Sequence, residues 1–180
     1  MEFKKVKLQD ITTILGDGIH GTPIYSEDGE YYFINGNNLE NGKIIIKNDT
    51  KKVNEKEFLK YKKELNDRTI LVSINGTLGK VAVYNGEKCI LGKSACYFNV
   101  NNDVNKDFIK YVLYSNYFQT YIQAYASGTT IKNMSLKEMK NFEIKLPNRE
   151  IQDRIAQILN TIDKKIELNN HTNDNLLNVA

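Results

Sequence analysis

The clearest pattern of apolar and polar positions lies at the end of the chain, in residues 148–177. Isoleucines recur there at spacings of four, three, four and four residues, separated mostly by polar side chains: Ile151, Ile155, Ile158, Ile162 and Ile166. Such spacings are typical of one face of an α-helix, so they predict a helix of roughly 30 residues with a narrow apolar seam. Pro147 precedes this helix and Asn148 is a favoured N-terminal cap, which together place its start.

The predicted helix is about 45 Å long and needs a partner along its length. It either packs on its own domain or pairs with a second long helix that holds two copies of the preceding domain apart. We favour the second interpretation, because so narrow a seam suits another helix better than a sheet. The seam continues through Asn169, Asn173 and Leu177. The predicted dimer interface consists of Ile151, Ile155, Ile158, Ile162, Ile166 and Asn169.

The shorter patterns before this helix predict an α+β domain over residues 1–147, followed by a spacer and dimerisation helix over residues 148–180. The domain is expected to have a twisted mixed or antiparallel sheet with flanking helices. A helical turn is predicted from Asp10 to Ile14, and one continuous helix from about Asn105 to Ala126. Strands are predicted at 31–34, 43–47, 69–74, 81–84, 89–91, 95–100 and 142–146, with the strands at 89–91 and 95–100 in the same sheet.

Composition adds little to this outline. The chain has 180 residues, of which 41% are hydrophobic and 26% are charged, and its formal net charge is +3. These values are ordinary for a soluble globular protein and compatible with, but not diagnostic of, nucleic-acid binding. No apolar run approaches membrane-spanning length, and the N-terminus lacks the apolar core of a signal peptide. We therefore expect a cytoplasmic protein in which Cys89 and Cys96 are buried and reduced.

Candidate catalytic chemistry is sparse. The two histidines, His20 and His171, suggest neither a catalytic triad nor a histidine metal site. The segment NGTLGK lacks the first glycine of a phosphate-binding loop, and Val81 replaces the required Ser or Thr, so a turn is the better interpretation. Glu143 and Lys145 in a strand are the residue types of a metal-dependent nuclease, but no aspartate stands in an obvious neighbouring strand. We expect no catalytic residue, metal or cofactor in this chain.

Five loops share a composition that suits DNA: GIHGTP, NGNN, NGTLGK, LGKS and SGTTIKN. Asn side chains read adenine edges, Lys reaches guanine or phosphate, and Ser and Thr bind either. Each loop alone is more often a solvated turn, whereas five on one small domain favour a binding surface.

The segment SGTTIKNMSLKEMKNFEIKLPNREIQDRIAQILNTIDKKI resembles the junction between a target recognition domain and a conserved helical region. That junction belongs to the specificity (S) subunit of type I restriction-modification systems. The family pattern is a loop rich in Thr, a short helix, a strand ending in Pro, then E-x-Q-x-x-I-A-x-x-L and D-x-x-I. The matching residues are Glu150, Gln152, Ile155, Ala156, Leu159, Asp163 and Ile166, although the family's common Glu-Gln pair is here interrupted by Ile151.

The resemblance implies a function for the whole chain. An S subunit has two recognition domains and two helical regions, so this chain resembles a half-length form or an N-terminal piece. It implies an antiparallel homodimer that reads a bipartite double-stranded DNA site, with one half-site per domain. It also implies a non-catalytic role: methyltransferase (M) subunits bring S-adenosylmethionine and restriction (R) subunits cleave. The expected DNA-binding residues are Thr22, Asn35, Asn37, Asn75, Thr77, Lys93, Thr129, Lys132 and Asn133.

Two alternatives remain open from the sequence. The chain is a dimerisation adaptor whose loops bind protein rather than DNA, or, with less support, a magnesium-dependent nuclease that uses Glu143 and Lys145.

Overall fold

The computed structural model describes the backbone of residues 3–177 and the side chains of residues 3–175. The predicted seam position Leu177 therefore has a side chain outside the described part. The expected α+β class is confirmed. The strands are β1 (Lys4–Lys7), β2 (Thr12–Asp17), β3 (Tyr31–Ile34), β4 (Leu39–Glu40), β5 (Lys43–Ile44), β6 (Lys52–Val53), β7 (Thr69–Ser73), β8 (Val81–Val83), β9 (Cys89–Leu91), β10 (Ala95–Val100) and β11 (Glu143–Leu146). The α-helices are α1 (Glu55–Tyr61), α2 (Lys106–Tyr114), α3 (Asn116–Tyr125), α4 (Leu136–Asn141) and α5 (Arg149–Leu177).

The central sheet has four antiparallel strands in the order β2-β10-β7-β8. Its inner strand β7 is buried on both faces, as the apolar run Ile70–Val72 at its centre requires. Ile70 and Val72 lie in a core with Phe98, whereas Leu71 packs on the opposite side with Ile34. Helices α2, α3, α4 and the start of α5 contribute to the first of these cores.

A second sheet has the order β6-β3-β9, and β3 pairs with β9 in parallel. The expectation that β9 and β10 share a sheet is therefore wrong. The backbone N–H of Gly92 donates to the carbonyl of Ile34 at 2.8 Å, which keeps the end of β9 beside β3. Three residues later Ala95 is paired with Ser73 of the central sheet. The chain thus changes sheets within the segment Gly92–Ser94.

The helix predicted from Asn105 to Ala126 is broken at Ser115, which has an extended backbone conformation. The Ser115 hydroxyl donates to the carbonyl of Val112 at 2.6 Å, and the Gln119 amide donates to the carbonyl of Leu113 at 2.8 Å. Polar side chains that bond to carbonyls near a helix end offer the backbone an alternative to continuing the helix. The periodicity persists across the break because both helices bury apolar residues in the same core.

The turn predicted from Asp10 to Ile14 is also displaced. A short 3₁₀ helix spans Leu8–Ile11, and Ile14 lies in β2. Pairing with β10, where Leu15 lies opposite Phe98, outweighs the local helical pattern.

The long helix α5 begins as predicted, with the backbone N–H of Ile151 donating to Oδ1 of Asn148 at 3.0 Å. Its first turns pack on the domain, because Gln152 and Ala156 are each only 2% exposed. Gln152 lies off the isoleucine seam, and its side chain accepts a hydrogen bond from the backbone N–H of Asn105 and donates one to the carbonyl of Pro147. The interpretation of packing on its own domain is therefore correct for the start of the helix.

Beyond Leu159 the helix presents two different faces. The domain-facing stripe follows spacings of four, four, three and four residues: Gln152, Ala156, Asn160, Asp163 and Glu167. The isoleucine seam (Ile151, Ile155, Ile158, Ile162 and Ile166) is rotated from it by about 120°, at about 100° per residue. Ile155, near the start of the seam, still packs against the first core. Ile158, Ile162 and Ile166 are 57%, 49% and 53% exposed, so this part of the seam has no partner within the described chain. None of the helices within residues 3–177 is long and apolar enough to cross a membrane.

Candidate DNA interface

The five loops of shared composition lie at one end of the central sheet. Cys96, the second residue of β10, is opposite Asp17, the last residue of β2. Ala95, the first residue of β10, is opposite Ser73, the last residue of β7. Val72 is opposite Val81, the first residue of β8. The antiparallel register therefore brings the loops that follow β2, join β7 to β8 and precede β10 to the same edge.

The segment Leu91–Ser94, which is the loop LGKS, connects the first three of these loops. The backbone N–H of Ile19, within GIHGTP, donates to the carbonyl of Leu91 at 2.8 Å. The backbone N–H of Gly36 donates to the Ser94 hydroxyl oxygen at 2.8 Å, which holds NGNN. The backbone N–H of Ile74 donates to the Ser94 carbonyl at 2.9 Å, which holds the start of NGTLGK. One short segment therefore fixes three loops relative to each other.

The fifth loop, SGTTIKN, is joined to NGTLGK. The Asn75 amide donates to Oδ1 of Asn133 at 3.1 Å, and the backbone N–H of Gly76 donates to the carbonyl of Lys132 at 2.9 Å. The fifth loop is closed at its own base by two backbone hydrogen bonds between Ser127 and Asn133, of 2.9 and 2.8 Å. Hydrogen bonds thus link all five loops into one continuous surface, hereafter the loop cluster.

Two glycines permit the closest approaches within the loop cluster. A Cβ atom at Gly18 would lie 2.1 Å from the carbonyl oxygen of Leu91, and one at Gly92 would lie 2.1 Å from Oδ1 of Asn35. Any side chain at either position would force the loops apart, so glycine is required there for packing rather than for backbone freedom.

The nine predicted DNA-binding residues all lie in the loop cluster, but they divide into two groups. Three asparagines are half-buried and hold loops together: Asn35, whose Oδ1 accepts from the Ser94 hydroxyl at 3.1 Å, and the bonded pair Asn75 and Asn133. The other six side chains are exposed: Thr22, Asn37, Thr77, Lys93, Thr129 and Lys132. The exposed group has side chains available for a ligand.

The positive charge of the loop cluster is carried by Lys93 and Lys132. Within the described residues neither has a carboxylate within ion-pair distance, and Lys132 contacts only the Gln123 amide oxygen, at 3.4 Å. Lys80, at the end of NGTLGK, is instead 3.7 Å from the Glu40 carboxylate. Hydrogen bonding and attraction from Lys47, reinforced by Lys80, lower the pKa of Glu40, so Lys80 shares this one carboxylate with Lys47.

Sequence reasoning missed two anchors of the loop cluster. In the sequence, Ser94 stands out only as part of the loop LGKS, and no pattern marks Glu57 as a contact of a loop. Glu57 is buried and accepts a hydrogen bond from the backbone N–H of Ile24 at 2.9 Å, which fixes the loop after β2. The signal for Ser94 is its position two residues after Gly92 in a predicted loop, although the sequence does not show which loops it joins.

Two large apolar side chains are also exposed in or next to the loops, Ile24 at 70% and Ile131 at 62%. Apolar side chains among polar ones can contact the methyl group of thymine in the major groove. These two residues extend the chemical range of the loop cluster beyond hydrogen bonds and charge.

The residues considered for a nuclease lie elsewhere. Glu143 and Lys145 are exposed on β11, and their cross-strand partners on β1 are Lys7 and Lys5. Because both cross-strand partners are lysines, β1 supplies no second carboxylate that could bind a metal ion together with Glu143. In the described part of the chain no group of three or more His, Cys, Asp or Glu side chains is placed to hold a metal ion.

Comparison with known proteins identifies relatives over most of the chain. A putative type I specificity subunit of Mycoplasma pneumoniae is 31% identical over 148 residues, which are 80% of this chain and 34% of that protein. A similar protein of Mycoplasma genitalium is 29% identical over 147 residues, 80% of this chain and 33% of that protein. This chain therefore spans about a third of the length of these curated relatives.

Solved structures share the fold. The S subunit of a type I restriction-modification system from M. genitalium matches 93% of this chain and 40% of its own, with a TM-score of 0.65 at 23% identity. The HsdS subunit from Thermoanaerobacter tengcongensis matches 94% of this chain and 39% of its own, with a TM-score of 0.67 at 16% identity. The family described as the type I restriction modification DNA specificity domain matches residues 1–178, and the chain belongs to that family.

Proposed function

We propose that this chain is a sequence-specific DNA recognition element of a type I restriction-modification complex, and that the loop cluster reads one half of a bipartite duplex site. The observation that supports this most directly is the convergence of five loops on one end of the sheet, with six exposed polar side chains and two unbalanced lysines. A hydrogen-bonded, prearranged surface of this kind suits base-edge contacts, because ordered side chains lose little freedom on binding.

The division of labour follows from the family. The chain's role is recognition without catalysis, and it docks M subunits, which carry S-adenosylmethionine, and R subunits, which cleave. Base flipping for methylation is then the task of the M subunit, while this chain holds the duplex in register.

A second copy of the chain is the proposed partner of the isoleucine seam. Ile158, Ile162 and Ile166 are about half exposed on a helix whose other stripe already contacts the domain. The helix has 29 residues, or about 44 Å at 1.5 Å per residue, whereas one turn of DNA spans about 34 Å. An antiparallel pair can therefore hold two loop clusters over separate major-groove segments. A symmetric homodimer predicts an interrupted palindrome as its site.

The experiment is duplex selection from a randomised pool by the purified chain, with and without its M subunit, at near-physiological salt. Enrichment of a split symmetric motif is the expected result and also identifies the site. If no sequence is enriched although the chain is folded and dimeric, the result contradicts DNA recognition and favours the protein-binding adaptor. Magnesium-dependent cutting by the isolated chain would favour the nuclease alternative instead.

A further inference from the structure

The long helix leaves the domain through polar contacts rather than apolar ones. Among its side chains up to residue 175, the last buried one is Ala156, and Leu159 and Asn160 are half-buried. From Asn160 onward the domain-facing stripe carries an amide and two carboxylates, Asn160, Asp163 and Glu167. Each of them meets a polar group of the domain.

The contacts with α2 form a compact network. The Tyr111 hydroxyl lies 2.7 Å from Oδ2 of Asp163 and 2.8 Å from Oδ1 of Asn160, so its proton is shared between two acceptors. Nζ of Lys110 lies 3.2 Å from Asn160 and 3.3 Å from Asp163. The Asn160 amide donates to Asp107 at 2.8 Å. We call these five residues the helix brace.

A further contact lies about one turn along the helix. Lys43, in the hairpin of β4 and β5, forms an ion pair with Glu167. Both side chains are more than 60% exposed, so this pair is weaker than the brace. Its position matters more than its strength, because it lies beyond the brace on the same stripe of the helix and restrains the same bending direction.

The brace has a geometry suited to fixing an angle. Hydrogen bonds require defined distances and directions, whereas apolar contacts allow sliding. The Lys110 side chain is only 13% exposed, whereas its partner Asp163 is 51% exposed, so the brace is more buried on the side of α2. A helix held only through Ala156 would have about 20 free residues beyond its last contact. A small rotation there would move its far end by several ångströms over a lever of about 30 Å.

We propose that Asp107, Lys110 and Tyr111 are positioning residues that hold α5 at one angle to the loop cluster and thereby set the gap between the two DNA half-sites. This inference rests on the proposed function. In a dimer joined through the seam, the angle at each end determines where each loop cluster meets the duplex. A gap of the wrong length then demands bending or twisting of the DNA.

The test compares the gap preference of the unaltered chain with that of a Tyr111→Phe, Asn160→Ala variant. The pool carries the selected half-sites separated by gaps of every length across one DNA turn. The unaltered chain is expected to favour one gap by about tenfold or more over gaps one base pair different, because the DNA must deform to fit. The brace variant is expected to retain the half-site sequences while this preference falls to about twofold. Tyr121→Phe is the matched control, since it removes a tyrosine hydroxyl whose 2.8 Å bond to the Glu138 carbonyl lies away from α5.

A distance measurement without DNA separates the proposal from the proposed function. Spin labels at Glu30 on the domain and Lys165 on α5, diluted with unlabelled chain, report the angle of the helix. The expected result is a narrow distance distribution that broadens in the brace variant and not in the control. A variant with an unchanged distribution, or a broadened distribution with an unchanged gap preference, would overturn the proposal. The unaltered chain could give a narrow distance distribution and the brace variant a broad one, while duplex selection yields no split motif. That result would overturn the proposed function and leave the brace only the role of orienting α5.

Discussion

The side-chain oxygen of Gln152 on α5 accepts a hydrogen bond from the backbone N–H of Asn105 at 2.9 Å. Asn105 is the residue that caps α2, with its own side chain accepting from the backbone N–H of Phe108. The same Gln152 side chain donates to the carbonyl of Pro147 at 2.8 Å. One buried amide therefore ties together the start of the long helix, the turn before it and the start of α2.

Replacing Gln152 by Ala is expected to lower the free energy of unfolding by about 1–3 kcal/mol, because the half-buried N–H of Asn105 and the buried carbonyl of Pro147 each lose their partner. Urea denaturation followed by circular dichroism measures this change. Gln157→Ala is the control, since Gln157 is exposed on the same helix. Equal midpoints for the two variants would contradict a structural role for Gln152.

The two unbalanced lysines are expected to contribute phosphate contacts. Lys93→Ala and Lys132→Ala should each weaken duplex binding across all sequences and reduce the slope of log K against log salt by about one. Lys80→Ala should change the slope less, because the Glu40 carboxylate, which Lys80 shares with Lys47, offsets part of its charge. Titrations at several salt concentrations test this, and equal slopes for all three variants would argue against the assigned charges.

The half-buried and exposed asparagines of one loop are expected to behave differently. Asn35→Ala removes the acceptor of the Ser94 hydroxyl and should destabilise the fold by about 1–2 kcal/mol. Asn37→Ala should leave stability within about 0.5 kcal/mol, as is usual at exposed positions, and alter the selected half-site instead. Thermal unfolding and duplex selection on both variants make the comparison. An Asn37 variant with unchanged half-site preference removes that residue from the interface.

The isoleucine seam is expected to carry dimerisation. Ile158→Asp together with Ile162→Asp should give a folded monomer that no longer binds the split site, because four charges would face each other across two copies of the seam. Analytical ultracentrifugation measures the mass. The matched control, Gln157→Asp with Thr161→Asp, adds the same charge at the same spacing on another exposed face of α5. Normal dimerisation of the seam variant would refute the interface.

The buried thiols are expected to make stability fall at high pH. Burial, with a smaller contribution from Glu87, raises the pKa of Cys89 from 9.0 to about 12, and burial also raises the pKa of Cys96. The folded state keeps these protons while the unfolded chain releases them, so unfolding becomes easier as pH rises above about 9. Urea denaturation at pH 8 and 10 measures the decline. A Cys89→Ala, Cys96→Ala variant should show a shallower decline, and an equal decline would assign it to other groups.

Much of the candidate site followed from local patterns. The predicted strands at 31–34, 69–74 and 81–84 are present with small changes of boundary, because alternating or continuous apolar residues specify strands locally. Asn148 accepts the expected backbone hydrogen bond, and Asn54 and Ser135, which are also favoured cap types, do the same, since such caps depend only on neighbours three residues away. The five loops were recognisable because Gly and Asn mark turns.

Contacts between distant residues explain what the sequence did not reveal. Ser115 interrupts a continuous helical pattern through bonds that end one helix and start another. The exchange of sheets at Gly92 depends on Ile34, far away in the chain, which no local pattern encodes. Asn35, Asn75 and Asn133 are half-buried, whereas the other predicted loop residues are exposed. This difference likewise depends on which loops are neighbours in the fold.

The family, the α+β class, the N-terminal caps and the isoleucine seam followed from the sequence, because each of these rests on residue types at short spacings. The domain-facing stripe, in contrast, became visible as a separate face of α5 only once the fold was known. Gln152 and Asn160 are polar, so periodicity of hydrophobic residues assigns them to solvent. Their packing follows from hydrogen-bonding groups of α2 and the preceding turn, which the fold alone brings within reach.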